Sequence, residues 1–173
     1  MKATGTLQQS AKAFLVCLIG TESVRDGITG RPYHPVAPCL HQLERVAQLV
    51  VITEYNVRAA SSEWSLYQLP ACQPVCLKRR TLEHLVGELA YGYDRRRVLV
   101  IGSGPRALSA AQSNQLLFYP ILPRKEERSW ARLQEEGIPK FLHGTFQGYY
   151  QQALLAAHQS CLPPGYPSKV NPG

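Results

Sequence analysis

Ala13–Thr21 reads AFLVCLIGT, an unbroken apolar run of strand length closed by Gly20-Thr21. A run that does not alternate polar and apolar residues suits a central parallel strand covered on both faces. Two more such runs follow, LVVIT at Leu49–Thr53 and RVLVI at Arg97–Ile101. Shorter strands are predicted at Leu116–Tyr119, closed by Pro120, and near Pro74–Leu77. Helical signals alternate with them. Leu40, Leu43 and Val46 form a stripe at spacing three within Ala37–Val46. Arg58–Leu66 carries Trp64, which packs against core rather than a base. Thr81 is the N-cap expected for Leu82–Tyr91. Ala107–Ser113, Glu126–Glu136 and Gln147–Ala157 complete the helices. Alternation of this kind predicts an α/β fold with three layers around a central parallel sheet, Rossmann-like in organisation. One core domain over 12–160 is expected, between a flexible 1–11 tail and a Pro/Gly-rich 161–173 tail.

Composition narrows the chemistry. The chain has 173 residues, 45% of them hydrophobic and 18% charged, as a globular domain does. Lysines and arginines number 19 against 12 acids, a net charge of +7. Lys78-Arg79-Arg80 and Arg95-Arg96-Arg97 are the densest basic pieces, and they are not gathered in one tract. They read as a solvated basic face, an argument against nucleic acid as partner. Asp26 and Asp94 are the only aspartates, so chemistry that needs an aspartate cluster is nearly excluded. Cys17, Cys39, Cys72, Cys76 and Cys161 are odd in number and irregularly spaced, as reduced cytoplasmic thiols are. Cys72 and Cys76 have no second Cys/His pair at a zinc spacing. No run reaches the roughly 20 apolar residues of a membrane span. AFLVCLIG, after Lys2 and Lys12, imitates a short signal-peptide core, but Thr21-Glu22-Ser23 supplies no cleavage site. A cytoplasmic location is therefore expected, with no membrane partner. His34, His41, His84, His143 and His158 lack ligand spacing and read as surface or packing residues.

In a parallel sheet ligands bind beyond the carboxyl ends of the strands, here Cys17–Thr21, Thr53-Glu54, Leu77–Thr81 and Gly102–Ala107. In that order, these ends resemble the four motifs of haloacid-dehalogenase-type hydrolases. The family's first motif is a strand followed by Asp-x-Asp-Gly-Thr. Cys17 and Ile19 stand at its two aspartates, while Gly20-Thr21 keep the loop. Thr53 matches the second motif, a strand ending in Ser or Thr. The third is a lysine at a helix entry before a Gly-Tyr-Asp-type turn. Lys78 or Arg80 could serve ahead of Gly92-Tyr93-Asp94, although a gapless count lands nearer Thr81. The fourth resembles Gly-Asp-x-Pro-x-Asp-Leu, and Gly102–Leu108 reads GSGPRAL, with Ser103 and Ala107 at the acids. Leu116–Trp130 and Phe141–Leu154 look like the C-terminal region of one subgroup. The resemblance spans about 12–160. Glu22–Arg31 is short, which implies a cap that is absent or minimal.

What the resemblance implies is a phosphatase fold without its chemistry. In the family, the first aspartate attacks phosphorus and the second exchanges protons with leaving group and water. The motif-four acids, with the first aspartate, hold Mg²⁺. Ile19 carries no proton, Ser103 is a weak neutral ligand, Ala107 is none, and the Cys17 sulfur is too soft for Mg²⁺. No cofactor is expected, because the Mg²⁺ ligands are lost. A vestigial phosphate site at Gly20, Thr21, Thr53, Lys78 and Arg80 would take a phosphate-containing small molecule, or the surface a protein partner.

Other readings stay open. Glu22 and Glu54, near the same edge, could act as displaced acids in an active phosphohydrolase. A thiol mechanism at Cys17 lacks its arginine, since Ser23 stands six residues on and Arg25 two later. Val98–Ala111, VLVIGSGPRALSAA, also fits the strand–G-x-G-x-x-A–helix fingerprint of dinucleotide binders. Against that, the acid expected about 20 residues on is missing; Tyr119-Pro120 close the next strand.

Overall fold

The computed structural model describes residues 12–54 and 56–163. The expected 1–11 tail and residues 164–173 of the expected C-terminal tail lie outside the described range. Five strands, β1 (Phe14–Ile19), β2 (Ala47–Thr53), β3 (Gln73–Cys76), β4 (Val98–Gly102) and β5 (Leu117–Pro120), form one sheet ordered β3-β2-β1-β4-β5. Every pairing is parallel. Helices α1 (Val36–Glu44), α2 (Val57–Leu66), α3 (Leu82–Ala90), α4 (Pro105–Ser113), α5 (Glu126–Arg132), α6 (Ile138–His143) and α7 (Tyr149–Cys161) flank it. This is the α/β, three-layer, Rossmann-like arrangement that the alternating pattern predicts.

Strand periodicity sorts the apolar runs onto two faces. Val16, Leu18, Leu49, Val51, Leu99 and Ile101 meet Val36, Leu40 and Leu43 of α1, Trp64 of α2 and Trp130 of α5. Leu15, Cys17, Val50, Ile52, Val98 and Val100 meet Leu82, Leu85 and Val86 of α3 and Ala107, Ala110 and Ala111 of α4. Because both faces are covered, the strands carry no polar alternation. Local chemistry sets the helix starts. The Asn56 side chain accepts from the Arg58 and Ala59 amides, and Thr81 from the His84 amide, as expected of a cap.

Between β1 and α1 no further domain is inserted. Residues 20–35 form turns with one antiparallel bridge, Arg25 to Pro32. Three contacts fasten this flap: Trp130 Nε1 donates to the Ser23 carbonyl at 2.7 Å, Arg25 pairs with Glu63 at 2.5 Å, and the Tyr67 hydroxyl donates to the Gly30 carbonyl.

One helix departs from expectation. The pattern ends it at Glu136, before Gly137 and Pro139, but the chain continues as a π turn over Leu133–Gly137 into α6. Pro139 has no N–H for the regular ladder, and a wider turn absorbs the loss. Glycine is needed at 137, since a Cβ there would lie 2.8 Å from Leu133 Cδ1 and 3.4 Å from the Tyr119 ring. At the sheet edge the Gln151 amide replaces a neighbouring strand. It accepts from the Phe118 amide at 3.0 Å and donates to the Phe118 carbonyl at 2.7 Å, which blunts an edge that would otherwise pair with another chain.

Gly102 closes β4 against α4. A Cβ there would sit 2.6 Å from the Ala107 Cβ and 3.3 Å from the Ile19 Cβ. Gly102→Ala is therefore expected to cost about 1–3 kcal/mol through overpacking. Gly104, whose added Cβ would meet nothing within 4 Å, should accept serine with a change within about 0.5 kcal/mol. Urea denaturation of the two variants checks the contrast; equal losses would refute it.

Candidate functional site

Connections leave β1 towards β2 and β3 on one side, and the chain then crosses back to β4 and β5. The gap between β1 and β4 is thus the switch point of the sheet, where two loops diverge and leave a crevice at the strand carboxyl ends. A cleft of about 270 Å³ occupies that place. It is lined by Ile19, Gly20, Thr21 and Glu22 at the end of β1, Thr53 and Glu54 at the end of β2, and Ser103, Gly104, Arg106 and Ala107 after β4.

Backbone geometry shapes its floor. Gly20 takes φ +77°, a left-handed turn natural to glycine, and its amide donates to the Ile52 carbonyl at 2.8 Å. The Leu77 amide donates to the Thr53 carbonyl at 2.8 Å, tying the β3 exit to β2. Gly104 caps α4, and Pro105 follows in its first turn. Arg106 Nη1 meets Glu54 Oε1 at 2.6 Å. This pair joins the loops that flank the end of β1. Both partners are solvent-exposed, so the contact is a replaceable latch worth little as stability.

The structure brings together most of the residues singled out in the sequence. Ile19, Ser103 and Ala107, at three acid positions of the resemblance, share the cleft with Gly20, Thr21 and Thr53. Cys17 does not join them. It is fully buried on the α3/α4 face, and burial pushes its thiol up to about 12, away from thiolate chemistry. Lys78 and Arg80 also stand outside the lining. Lys78 sits in a left-handed turn (φ +53°) beyond edge strand β3, and Arg80 is held by Glu88 at 2.9 Å and by the Cys76 carbonyl at 3.2 Å. Cys72 precedes β3 and Cys76 is its last residue, about 13 Å apart along an extended chain, too far for a disulfide.

Two groups carry more weight than their sequence context suggested. Arg106 is the cation of the cleft; its signal was its place in the first turn after a glycine loop. His158, on α7, has no accessible surface, and its Nε2 lies 3.1 Å from the Ser103 carbonyl. Its ring stands edge-on to Phe118 at 5.6 Å, while Nδ1 is buried without a partner among the described residues. Nothing in the spacing of the five histidines marks this one, because its partner is 55 residues away.

Mg²⁺ does not fit the cleft. The acid positions present an alkyl group, a hydroxyl and a methyl, and no group of three or more His, Cys, Asp or Glu side chains gathers among the described residues. Of the dinucleotide fingerprint, a glycine in close helix–strand packing is present at Gly102, while β5 ends at Pro120 without the acid. No described helix is long and apolar enough to cross a membrane. The chain matches no family model, no curated protein and no solved structure.

His158 makes stability depend on pH. Burial lowers its pKa below the ordinary value, opposed by its contact with the Ser103 carbonyl. The unfolded chain therefore binds this proton more readily than the folded one. Its contribution is complete above the unfolded pKa of about 6.5 and is lost as pH falls from there towards the depressed folded value. Unfolding free energy should drop between about pH 7.5 and pH 5.5, and drop less in His158→Gln. An identical pH dependence in the two proteins would refute the assignment.

Proposed function

We propose that this chain is a haloacid-dehalogenase-type domain that binds a phosphate-bearing small molecule and does not hydrolyse it. The observation that carries this reading is convergence. Positions matched to the first, second and fourth motifs of that family, up to 88 residues apart from Ile19 to Ala107, line one cleft at the switch point. Within it, Arg106 supplies the charge, Thr21, Thr53 and Ser103 supply hydroxyls, and the first turn of α4 supplies backbone amides. Residues that a phosphatase of this family needs are replaced at the matched positions, in the cleft and, at Cys17, behind it. The nucleophile position is a sealed thiol, the acid–base position is Ile19, and the metal positions are Ser103 and Ala107.

Glu22 and Glu54 share the cleft and oppose an anion. A phosphate must therefore draw Arg106 away from Glu54, so the latch sets the affinity. The same two carboxylates sustain a second reading, an active hydrolase using displaced acids; metal-stimulated turnover distinguishes it.

Purified protein should release no phosphate from a generic phosphomonoester, with or without Mg²⁺. Inorganic phosphate should raise its melting temperature, because a ligand that binds only the folded state stabilises it. Arg106→Ala should abolish that rise, and Glu54→Gln should enlarge it. Mg²⁺-dependent turnover would overturn the reading, as would a phosphate response indifferent to Arg106.

A further inference from the structure

Positive charge concentrates at the amino edge of the sheet, opposite the cleft. Lys12 leads into β1, Arg45 stands two residues before β2, and Arg95–Arg97 form the 3₁₀ turn that enters β4. These three strands are neighbours, with Phe14 opposite Ala47 and Leu15 opposite Val98. Adjacent strands lie about 4.8 Å apart, so segments distant in sequence enter the sheet side by side. Five cations are thus set against two carboxylates, Glu44 and Asp94.

In the arginine turn three guanidinium groups face one neighbouring carboxylate, Asp94. Arg97 lies over the Phe14 ring at 5.5 Å, Arg95 donates to the Gln115 side chain, and Lys12 donates to the Glu44 carbonyl. Arg96 alone in the turn meets a carboxylate, Asp94 at 3.6 Å. All three arginines are exposed.

Aromatic surface adjoins the charge. Tyr91, 89% exposed, and Tyr93 lie just ahead of the arginine turn. They border a hollow of about 160 Å³ with Leu15, Gln48 and Gln73. Glu88 also borders it, but is engaged by Arg80 at 2.9 Å and His84 at 3.1 Å.

We propose that this edge binds single-stranded nucleic acid, with phosphates along Arg95–Arg97 and an unpaired base against the tyrosines. Arginine clusters neutralise phosphates, and aromatic faces stack bases of any sequence. The glutamine amides offer donors and acceptors to a base edge. A three-residue 3₁₀ turn is too short to read a duplex groove as a helix does, and a merely acidic peptide would leave the tyrosine hollow unused. The proposal is independent of the phosphate cleft, which lies at the other end of the strands.

The test is fluorescence anisotropy with a labelled single-stranded DNA of about 15 nucleotides, titrated across salt concentrations. The single strand should bind more tightly than the same sequence as a duplex, and polyglutamate should compete poorly. Arg95→Ala/Arg96→Ala should weaken binding and flatten the log–log salt slope by about 1.4, for two lost phosphate contacts. Tyr91→Ala should weaken binding about tenfold with the slope unchanged. Lys78→Ala/Arg79→Ala, which removes equal charge from the opposite edge, should leave binding intact. Circular dichroism verifies that each variant is folded. No binding, an equal loss in the Lys78/Arg79 control, or equal competition by polyglutamate with an unaffected Tyr91→Ala would each overturn the proposal.

Discussion

Everything in this molecule hangs on β1, the middle strand of the five, paired on each side and covered by a helical layer on each face. Leu15, Val16, Cys17 and Leu18 are all buried, at 2% exposure or less. A position so enclosed holds an ionised carboxylate only at a cost of several kcal/mol, unless partners or a metal compensate it. Here the strand carries a thiol and aliphatic groups instead. The same choice that completes the core removes the chemistry the resemblance would place on β1.

The consequences spread from that strand. Gly20 turns the chain left-handed at its carboxyl end and opens the cleft. Gly102 lets Ala107 of α4 and Ile19 of β1 both crowd the end of β4, where an added Cβ would lie 2.6 Å from the first and 3.3 Å from the second. Ser103 is held from behind by His158, which couples the cleft loop to α7. The polar groups of the cleft are the exposed Arg106–Glu54 pair, Glu22 and the hydroxyls of Thr21, Thr53 and Ser103.

Charge follows the same topology. In a parallel sheet all strands begin at one edge and end at the other, so the basic residues preceding β1, β2 and β4 must assemble even though no tract joins them in sequence. Of the two dense basic pieces, which read as a solvated face, Arg95–Arg97 joins Lys12 and Arg45 at one edge for that reason. Lys78-Arg79-Arg80, preceding α3 at the opposite edge, remain apart from it.

Much of the fold was legible in the chain alone. AFLVCLIGT, LVVIT and RVLVI are too uniformly apolar for anything but strands covered on both faces, and Thr81 announces its helix through a hydroxyl three residues from the amide it accepts. Period and local capping are short-range physics, and sequence records them directly. The π turn was hidden, because Gly137 and Pro139 signal a stop unless tertiary packing carries the helix past them. The site was half legible: Gly20, Thr21, Thr53, Ser103 and Ala107 follow from strand ends, whereas the exclusion of Lys78 and Arg80 required knowing that β3 is the edge strand. The Arg106–Glu54 latch, 52 residues apart, the burial of His158 and the assembly of the basic edge were decided by the tertiary structure, because each depends on which strands become neighbours.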